Sequence, residues 1–521
     1  MPTTPHLNAQ GQYQVYINGT WRDSQATNFY ANANPAHQSQ VLGQVAECTS
    51  SEVNEAMQAA ANAFPAWRAV SGNAKTKLFL HVAQALYAHY DEIKRTMTRE
   101  MGKTLFDSGL DLDEAIGVVE CVAPQGLSLK GETYQKNIDG VVMESRLEPR
   151  GVAAIITPFN FPVAIPIAQV LSALVTGNTV VWKPSHLIPE SSHAIVGALE
   201  EAFAWAEART GITVPPGTLN MVSGDVETGE AVITHPAVQC LSFTGSKPVG
   251  DAVDARASGL GKRVMKEVGG INIFYVHKDA DIARASRNFI YGKTITGGQR
   301  CTSIQEVLCD EAVYDQFVAA SLEQTKGIVI GDGASDTLAD ADKTPGLYSV
   351  PPLVSEEQQA RVLGLIDQSV SEGARIVHQT PVPDSVAQEG HYVPFTLLEN
   401  VGTDNILART EVFGPVGILT KVQNVNEAIA TINRKIGIVA CVDSQNKDVS
   451  EHFIQSVLRT RVDDGRHGTG AFWATRFGGD RGAGSGNPAL DENMVMGYVL
   501  WKTIYRAYKP FAEPSADDAG I

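Results

Sequence analysis

Several marks of specialised function are missing from this 521-residue chain. Its six cysteines, Cys48, Cys121, Cys240, Cys301, Cys309 and Cys441, form no C-x-x-C pair, and its histidines show no cluster at metal-ligand spacing. Neither structural zinc nor any other bound metal is expected. Sparse, unpaired thiols in a long chain fit a reducing environment, so a cytoplasmic location is the expectation. Positive charge is in short supply. The 41 Lys and Arg against 58 Asp and Glu leave a formal net charge of −17, which argues against a nucleic-acid partner and against anionic membrane surfaces. No apolar run reaches the roughly 18 residues of a membrane span. The opening MPTTPHLNAQGQYQ has no basic stretch leading into an apolar run, so no secretory signal is expected. Internal repeats and low-complexity linkers are also missing. What remains is a globular chain long enough for about two or three domains.

The residues that are present alternate between two grammars. Ser51 to Trp67 carries apolar residues at helical spacing behind a capping serine, and AKTKLFLHVAQALYAHYDEIKRTMTREMGK continues in helices. RGVAAIITPFNFP then holds a short β-branched run, Val152 to Ile156. NTVVWKPS, QCLSFTGS and the stretch Ile271 to Val276 repeat that pattern, with helical segments such as HAIVGALEEAFAWAEA between them. Strands alternating with helices predict a parallel sheet covered on both faces. Ligands of such sheets lie beyond the C-terminal strand ends, and Asn160, Lys183 and Ser246 fall there. Two stretches break the pattern. Leu129 to Arg150 reads as an extended polar hairpin, and Met496 to Lys509 reads as an aromatic strand outside any βα unit, the kind of edge that seeks a partner chain.

Four short segments carry chemistry. TITGGQRCTSIQ presents Cys301 behind two glycines, a glutamine and an arginine, an unusual setting for a thiol that merely packs. MKEVGGINIF places Glu267 before Gly269 and Gly270. A glutamate facing a thiol can accept its proton or one from water. TPFNFPVAIP holds Asn160 between aromatics and prolines, where a fixed amide is a good donor to an oxyanion. SFTGSKPVGDAV runs a strand into Gly245 and Gly250 at a helix start, a G-x4-G spacing where backbone approaches phosphate.

PFNFP, WKPS, FTGS, EVGG, GGQRCTS and EVFGPVG occur together in one order. In that order and spacing the chain, from about Tyr13 to Lys509, resembles the aldehyde dehydrogenase superfamily, in its non-CoA-acylating branch. The resemblance implies an α/β fold: a Rossmann-like parallel-sheet cofactor domain, an α/β catalytic domain and a small β bridging element. It implies Cys301 as nucleophile, Glu267 as general base and Asn160 as oxyanion amide. It implies a dinucleotide held by Thr157, Pro158, Phe159, Lys183, Ser185, His186, Gly224, Thr244, Gly245, Ser246, Val249, Gly269, Glu411 and Phe413. Phe161, Arg300, Thr302, Phe472 and Phe477 are then the candidate aldehyde contacts, with Trp473 beside them. The expected division is 1–127 with 150–268 for NAD(P) binding, 269–488 for catalysis, 128–149 with 489–509 as an oligomerisation element, and 510–521 as a flexible tail. A homodimer or homotetramer is the expected assembly.

Two departures from the family pattern shape the expectations. His186 stands where members often carry a glutamate that holds the adenosine ribose. That lessens repulsion of a 2′-phosphate and tilts the cofactor slightly from NAD to NADP. VDDGRHGTGAFWATRF and RFGGDRGAGSG replace the usual segments near the C-terminus, so the substrate mouth is expected to be unusual. Arg300, directly before the thiol, has forked donors that suit an anionic semialdehyde or a phosphorylated aldehyde. The opposing expectation is that it pairs with a structural carboxylate. The alternatives are a CoA-acylating enzyme, which typically lacks the residue matched by Glu267, and a non-catalytic relative. A cysteine hydrolase would need a histidine partner, and none falls in a recognisable pairing context.

Overall fold

The computed structural model describes residues 5–135 and 140–508. The expected tail, 510–521, lies outside them, as do residues 136–139 of the expected hairpin.

The first seven-stranded sheet orders its strands Arg263–Val268, Val238–Gly245, Val152–Ile156, Thr179–Lys183, Leu219–Met221, Val15–Ile17 and Thr20–Arg22. The first five are parallel, Val15–Ile17 runs antiparallel to them, and Thr20–Arg22 pairs antiparallel with Val15–Ile17. Every residue of Val152–Ile156 and Thr179–Lys183 is buried. The period-two alternation of a strand here divides the side chains between two cores. Ala153, Ile155, Val180 and Trp182 join one, and Val152, Ala154, Ile156 and Val181 join the other. After Val152–Ile156 the chain builds outward through Thr179–Lys183 and Leu219–Met221, then crosses back to lay Val238–Gly245 on the other side. The sheet therefore changes direction between Val152–Ile156 and Val238–Gly245, the crevice where open parallel sheets bind ligands.

The second sheet runs Arg375–Thr380, Phe395–Glu399, Val416–Val422, Ile304–Asp310, Asn272–Val276, Val439–Asp443 and Arg461–Asp464, antiparallel only at Arg375–Thr380. Only Gly269, Gly270 and Ile271 separate the strand Arg263–Val268 of the first sheet from Asn272–Val276 of the second. This short link sets C-terminal strand ends of the first sheet against N-terminal strand ends of the second. In a third sheet Val499–Ala507 pairs antiparallel with Val141–Pro149, and Glu132–Thr133 lies beyond. The two stretches that broke the sequence pattern thus lie side by side, and Val499–Ala507 forms an edge of that sheet. One local expectation needs correcting. The helix expected from Ser51 spans Ser50–Ala69, and its cap is Thr49, which exchanges hydrogen bonds with Glu52.

Candidate active site

Cys301 lies in a turn entering Ile304–Asp310, behind three left-handed residues, Thr296 (φ 58°), Gly297 (φ 62°) and Gly298 (φ 73°). Glycine adopts that conformation freely, but Thr296 is strained there. Several bonds hold the strained turn. Thr296 Oγ1 donates to Asp107 and accepts from Arg300 Nε at 2.6 Å, and Arg300 forms a buried ion pair with Asp107. Asn272 Nδ2 donates to the carbonyls of Cys301 (2.7 Å) and Ser303 (3.1 Å), tying the turn to the start of Asn272–Val276. The thiol is thereby fixed by its backbone while its side chain stays half-buried.

That side chain faces a cavity of about 970 Å³, which Asn160, Glu267, Glu411 and Phe477 also line. Burial, with Glu411, Glu267 and Glu114 around it, pushes the Cys301 thiol up to about 12, while Arg300 opposes the shift. The resting group is therefore a thiol and must lose its proton to react. Glu267 is the penultimate residue of the strand Arg263–Val268. Its Oε2 accepts from the Gly479 N–H at 2.6 Å, and its buried Oε1 has no partner. Burial raises this carboxyl well above the usual carboxylate range. Asn160 Nδ2 donates to the Gln299 carbonyl at 3.0 Å. An amide has two N–H donors, so one remains for a substrate oxygen.

The remainder of the cavity suits a dinucleotide. Glu411 is held at about 7 by burial, and its buried Oε1 has no hydrogen-bond partner, an acceptor in want of a hydroxyl donor. A Cβ at Gly269 would stand 2.2 Å from that oxygen, so glycine alone lets the backbone pass. Phe413, at φ 53°, meets Phe159 edge to face with centroids 6.0 Å apart. Ser246 stands at the N-cap position of the helix Lys247–Gly259, where its side chain makes no capping hydrogen bond. Lys183 Nζ donates to the Gly224 carbonyl at 2.7 Å, and Thr244 Oγ1 accepts from Gln169 Nε2 at 2.6 Å. Thr157, Pro158, Ser185, His186, Gly245 and Val249 line the same cavity. Gly224 supports Lys183 instead of lining it.

The candidate aldehyde contacts fare differently. Phe477 lines the cavity; Phe161, Arg300, Thr302 and Phe472 do not. Arg300 is 4% exposed, pairs with Asp107 and lies over the Phe161 ring at 4.9 Å. It donates to the buried Asp107 carboxylate and to Thr296 Oγ1 and does not line the cavity, which corrects its assignment as an anion contact. Phe472 is 52% exposed and packs at a tilt of 36° against Trp473, whose ring in turn covers Gly117. Thr302 is buried in the turn itself.

Glu114 and Asp225 are among the cavity residues that escaped the sequence reading. Glu114 comes from the helix Leu105–Val122, and Asp225 precedes the helix Val226–Thr234. Asp225 Oδ1 stands 3.6 Å from His186 Nδ1. No local motif flags either one. The only trace of Glu114 is the acidic stripe Asp107, Asp111, Glu114 at helical spacing.

Comparison with known proteins agrees with this geometry. Residues 21–504 match the aldehyde dehydrogenase family. The chain is 30% identical over 502 residues to an alpha-ketoglutaric semialdehyde dehydrogenase of Bacillus subtilis, covering 96% of this chain and 99% of that one. It is 30% identical over 443 residues to a malonate-semialdehyde dehydrogenase of Lacticaseibacillus casei, covering 85% and 86%. Among solved structures, betaine aldehyde dehydrogenase from Staphylococcus aureus in complex with NAD+ superposes with a TM-score of 0.88 at 27% identity, covering 98% of this chain and 97% of that one. Methylmalonate-semialdehyde dehydrogenase from Oceanimonas doudoroffii gives 0.86 at 27% identity, covering 96% and 98%. The chain belongs to the aldehyde dehydrogenase family and is an oxidoreductase acting on aldehydes.

Proposed function

We propose that the protein oxidises an aldehyde to its carboxylic acid with NAD(P)+, through a covalent thioester on Cys301. The observation that carries this is the convergence of Cys301, Glu267 and Asn160 on one cavity beside the unpaired acceptor of Glu411. Cys301 Sγ, once deprotonated, attacks the carbonyl carbon. The free N–H of Asn160 and the Cys301 backbone N–H stabilise the oxyanion, where one such donor contributes about 3–4 kcal/mol. The dinucleotide, when bound, supplies the hydride acceptor. Glu267 in its ionised form takes a proton from water, and the hydroxide releases the acid from Cys301. Glu267 must first leave the Gly479 N–H or turn its free oxygen to that water. Lys183, Ser246 and Glu411 hold the dinucleotide, with Phe413 against its nicotinamide end.

The choice between cofactors turns on Asp225. The loss of a glutamate at position 186 is offset in space, because a carboxylate stands 3.6 Å from His186. Glu47 lies close enough to act on the same histidine. A 2′-phosphate would meet both charges, so NAD is the better fit here, against the tilt to NADP that His186 alone suggested. Fluorescence titration with NADH and NADPH tests the choice directly.

Relatives named for acidic semialdehydes support that substrate class, whereas the arginine that suggested it in this chain is committed to Asp107. The exposed aromatic edge of Val499–Ala507 supports a homo-oligomer. Absorbance at the reduced-nicotinamide band, over an aldehyde panel with each cofactor and with and without coenzyme A, tests the activity. Absence of reduction with every aldehyde would overturn it.

A further inference from the structure

The stretch that presents Cys301 does not end at the thiol. Gln305 is the second residue of the strand Ile304–Asp310 and is only 2% exposed. Its amide makes three hydrogen bonds, all to one segment distant in sequence. Nε2 donates to the Leu407 and Thr410 carbonyls, each at 2.9 Å. Oε1 accepts from the Val412 N–H at 2.8 Å. Both N–H donors of the amide and its oxygen are thereby in use. Thr410 and Val412 flank Glu411 in the chain, so these bonds close on either side of it.

The helix Glu356–Ser371 holds the same segment from another side. Arg361 donates to the carbonyls of Glu411 at 2.7 Å and Val412 at 2.8 Å, and Gln358 Nε2 donates to the Phe413 carbonyl at 2.9 Å. Arg361 is exposed, whereas Gln305 works from the interior. The backbone is thus fastened at each residue from Thr410 to Phe413. The Glu411 carboxyl itself is left open, with its buried Oε1 lacking a partner. A hydrogen bond is lost when its atoms separate by much less than an atomic diameter, so an acceptor is only as well placed as the backbone that carries it. Gln305 also links that acceptor to the thiol. Both lie in one short run, which Asn272 ties down at the carbonyls of Cys301 and Ser303.

We infer that Gln305 is a positioning residue for the dinucleotide: it sets the Glu411 carboxyl to receive the nicotinamide half and fixes that acceptor relative to Cys301. This rests on the reading of Glu411 as a dinucleotide contact. Methionine, unbranched and apolar, fills the space of Gln305 but leaves two buried carbonyls without a donor and one N–H without an acceptor. Those groups turn to other partners, and Glu411 moves with them.

The test is equilibrium binding to the full chain without aldehyde, read by NADH fluorescence and by displacement with AMP, which lacks the nicotinamide half. Gln305→Met should weaken NADH by roughly ten- to a hundredfold, the scale of one hydrogen bond to a charged group. AMP should stay within about twofold, because the adenosine contacts are made by other residues. Glu411→Ala should weaken NADH to a similar extent, and adding Gln305→Met to it should bring little further loss, since both act through one carboxyl. Equal loss of NADH and AMP would mark Gln305 as merely structural, and full additivity with Glu411→Ala would mean that it acts elsewhere; either overturns the inference. If Gln305→Met does not fold, hydrogen exchange of the wild type decides. The Val412 amide should exchange slowly before any dinucleotide is added. Fast exchange that slows only with NADH would mean that the dinucleotide, not Gln305, orders the segment. Weakened NADH in Glu411→Ala with none in Gln305→Met would refute Gln305 alone, whereas unchanged NADH in Glu411→Ala would remove the reading beneath it.

Discussion

Replacing Arg300 by alanine should cost stability, not substrate discrimination. The guanidinium is 4% exposed and its partner Asp107 is fully buried. The same guanidinium also binds Thr296, a left-handed residue of the turn that presents Cys301. Removing the cation strands a buried carboxylate, and breaking a buried pair in this way costs about 3–5 kcal/mol. Thr296 and Lys103 still act on Asp107, which places the expected loss at the low end, about 3 kcal/mol. Arg300→Met with Asp107→Leu removes both charges and should recover most of the loss, since an apolar pair of similar volume is often neutral or better. The thiol should also respond. Arg300 is the cation that holds down the proton affinity of Cys301, so alkylation of Arg300→Ala by iodoacetamide should be slower at each pH. Urea unfolding followed by tryptophan fluorescence reads the stability. Rates on an acidic semialdehyde and a neutral aldehyde of equal length read the discrimination. If Arg300→Ala changes stability by less than about 0.5 kcal/mol, the range of ordinary surface substitutions, and selectively loses the acidic substrate, Arg300 is an anion contact and the assignment made here is wrong.

Cys301→Ala should abolish aldehyde oxidation and leave NADH binding within about threefold, by fluorescence titration; appreciable residual turnover would refute thiol catalysis. In the wild type, alkylation of Cys301 should accelerate about tenfold per pH unit from 7 to 10 without a plateau, because the thiol is held near 12. Glu267→Gln should slow thioester hydrolysis more than hydride transfer, seen as a burst of NADH followed by a slow phase. The wild-type steady-state rate should rise with pH, since a carboxyl raised by burial becomes a base only as pH climbs through its value. Asp225→Ser should improve NADPH binding relative to NADH by roughly tenfold, the effect of removing one charge near the 2′ position; an unchanged ratio would place that discrimination elsewhere. Sedimentation should show a dimer or larger at micromolar protein, and a monomer alone would leave the aromatic edge of Val499–Ala507 without a partner.

Much of the fold was legible because the relevant physics is local. Val152–Ile156 announces itself by β-branching and by the Pro158 and Asn160 that follow, and its observed limits are those read from the sequence. Glycines near a lone thiol signalled a turn, and the turn carries three left-handed residues. Cys301, Glu267 and Asn160 were picked out by the resemblance of their stretches to a known family, and all three line one cavity. Charge partners were not legible in the same way. Arg300 looks free beside Cys301, yet its carboxylate lies 193 residues away on another helix. His186 looked like an invitation to a 2′-phosphate until Asp225, on a different loop, came within 3.6 Å. Glu114 is one of five acids on its helix, and nothing in the sequence marks it as the one that lines the cavity. Backbone periodicity and turn chemistry are properties of neighbours in sequence, so the sequence by itself determined the elements, their order and the candidate site residues. The sign and balance of charge inside a cavity depend on which distant side chains are brought within a few ångströms, and only the tertiary structure decided that.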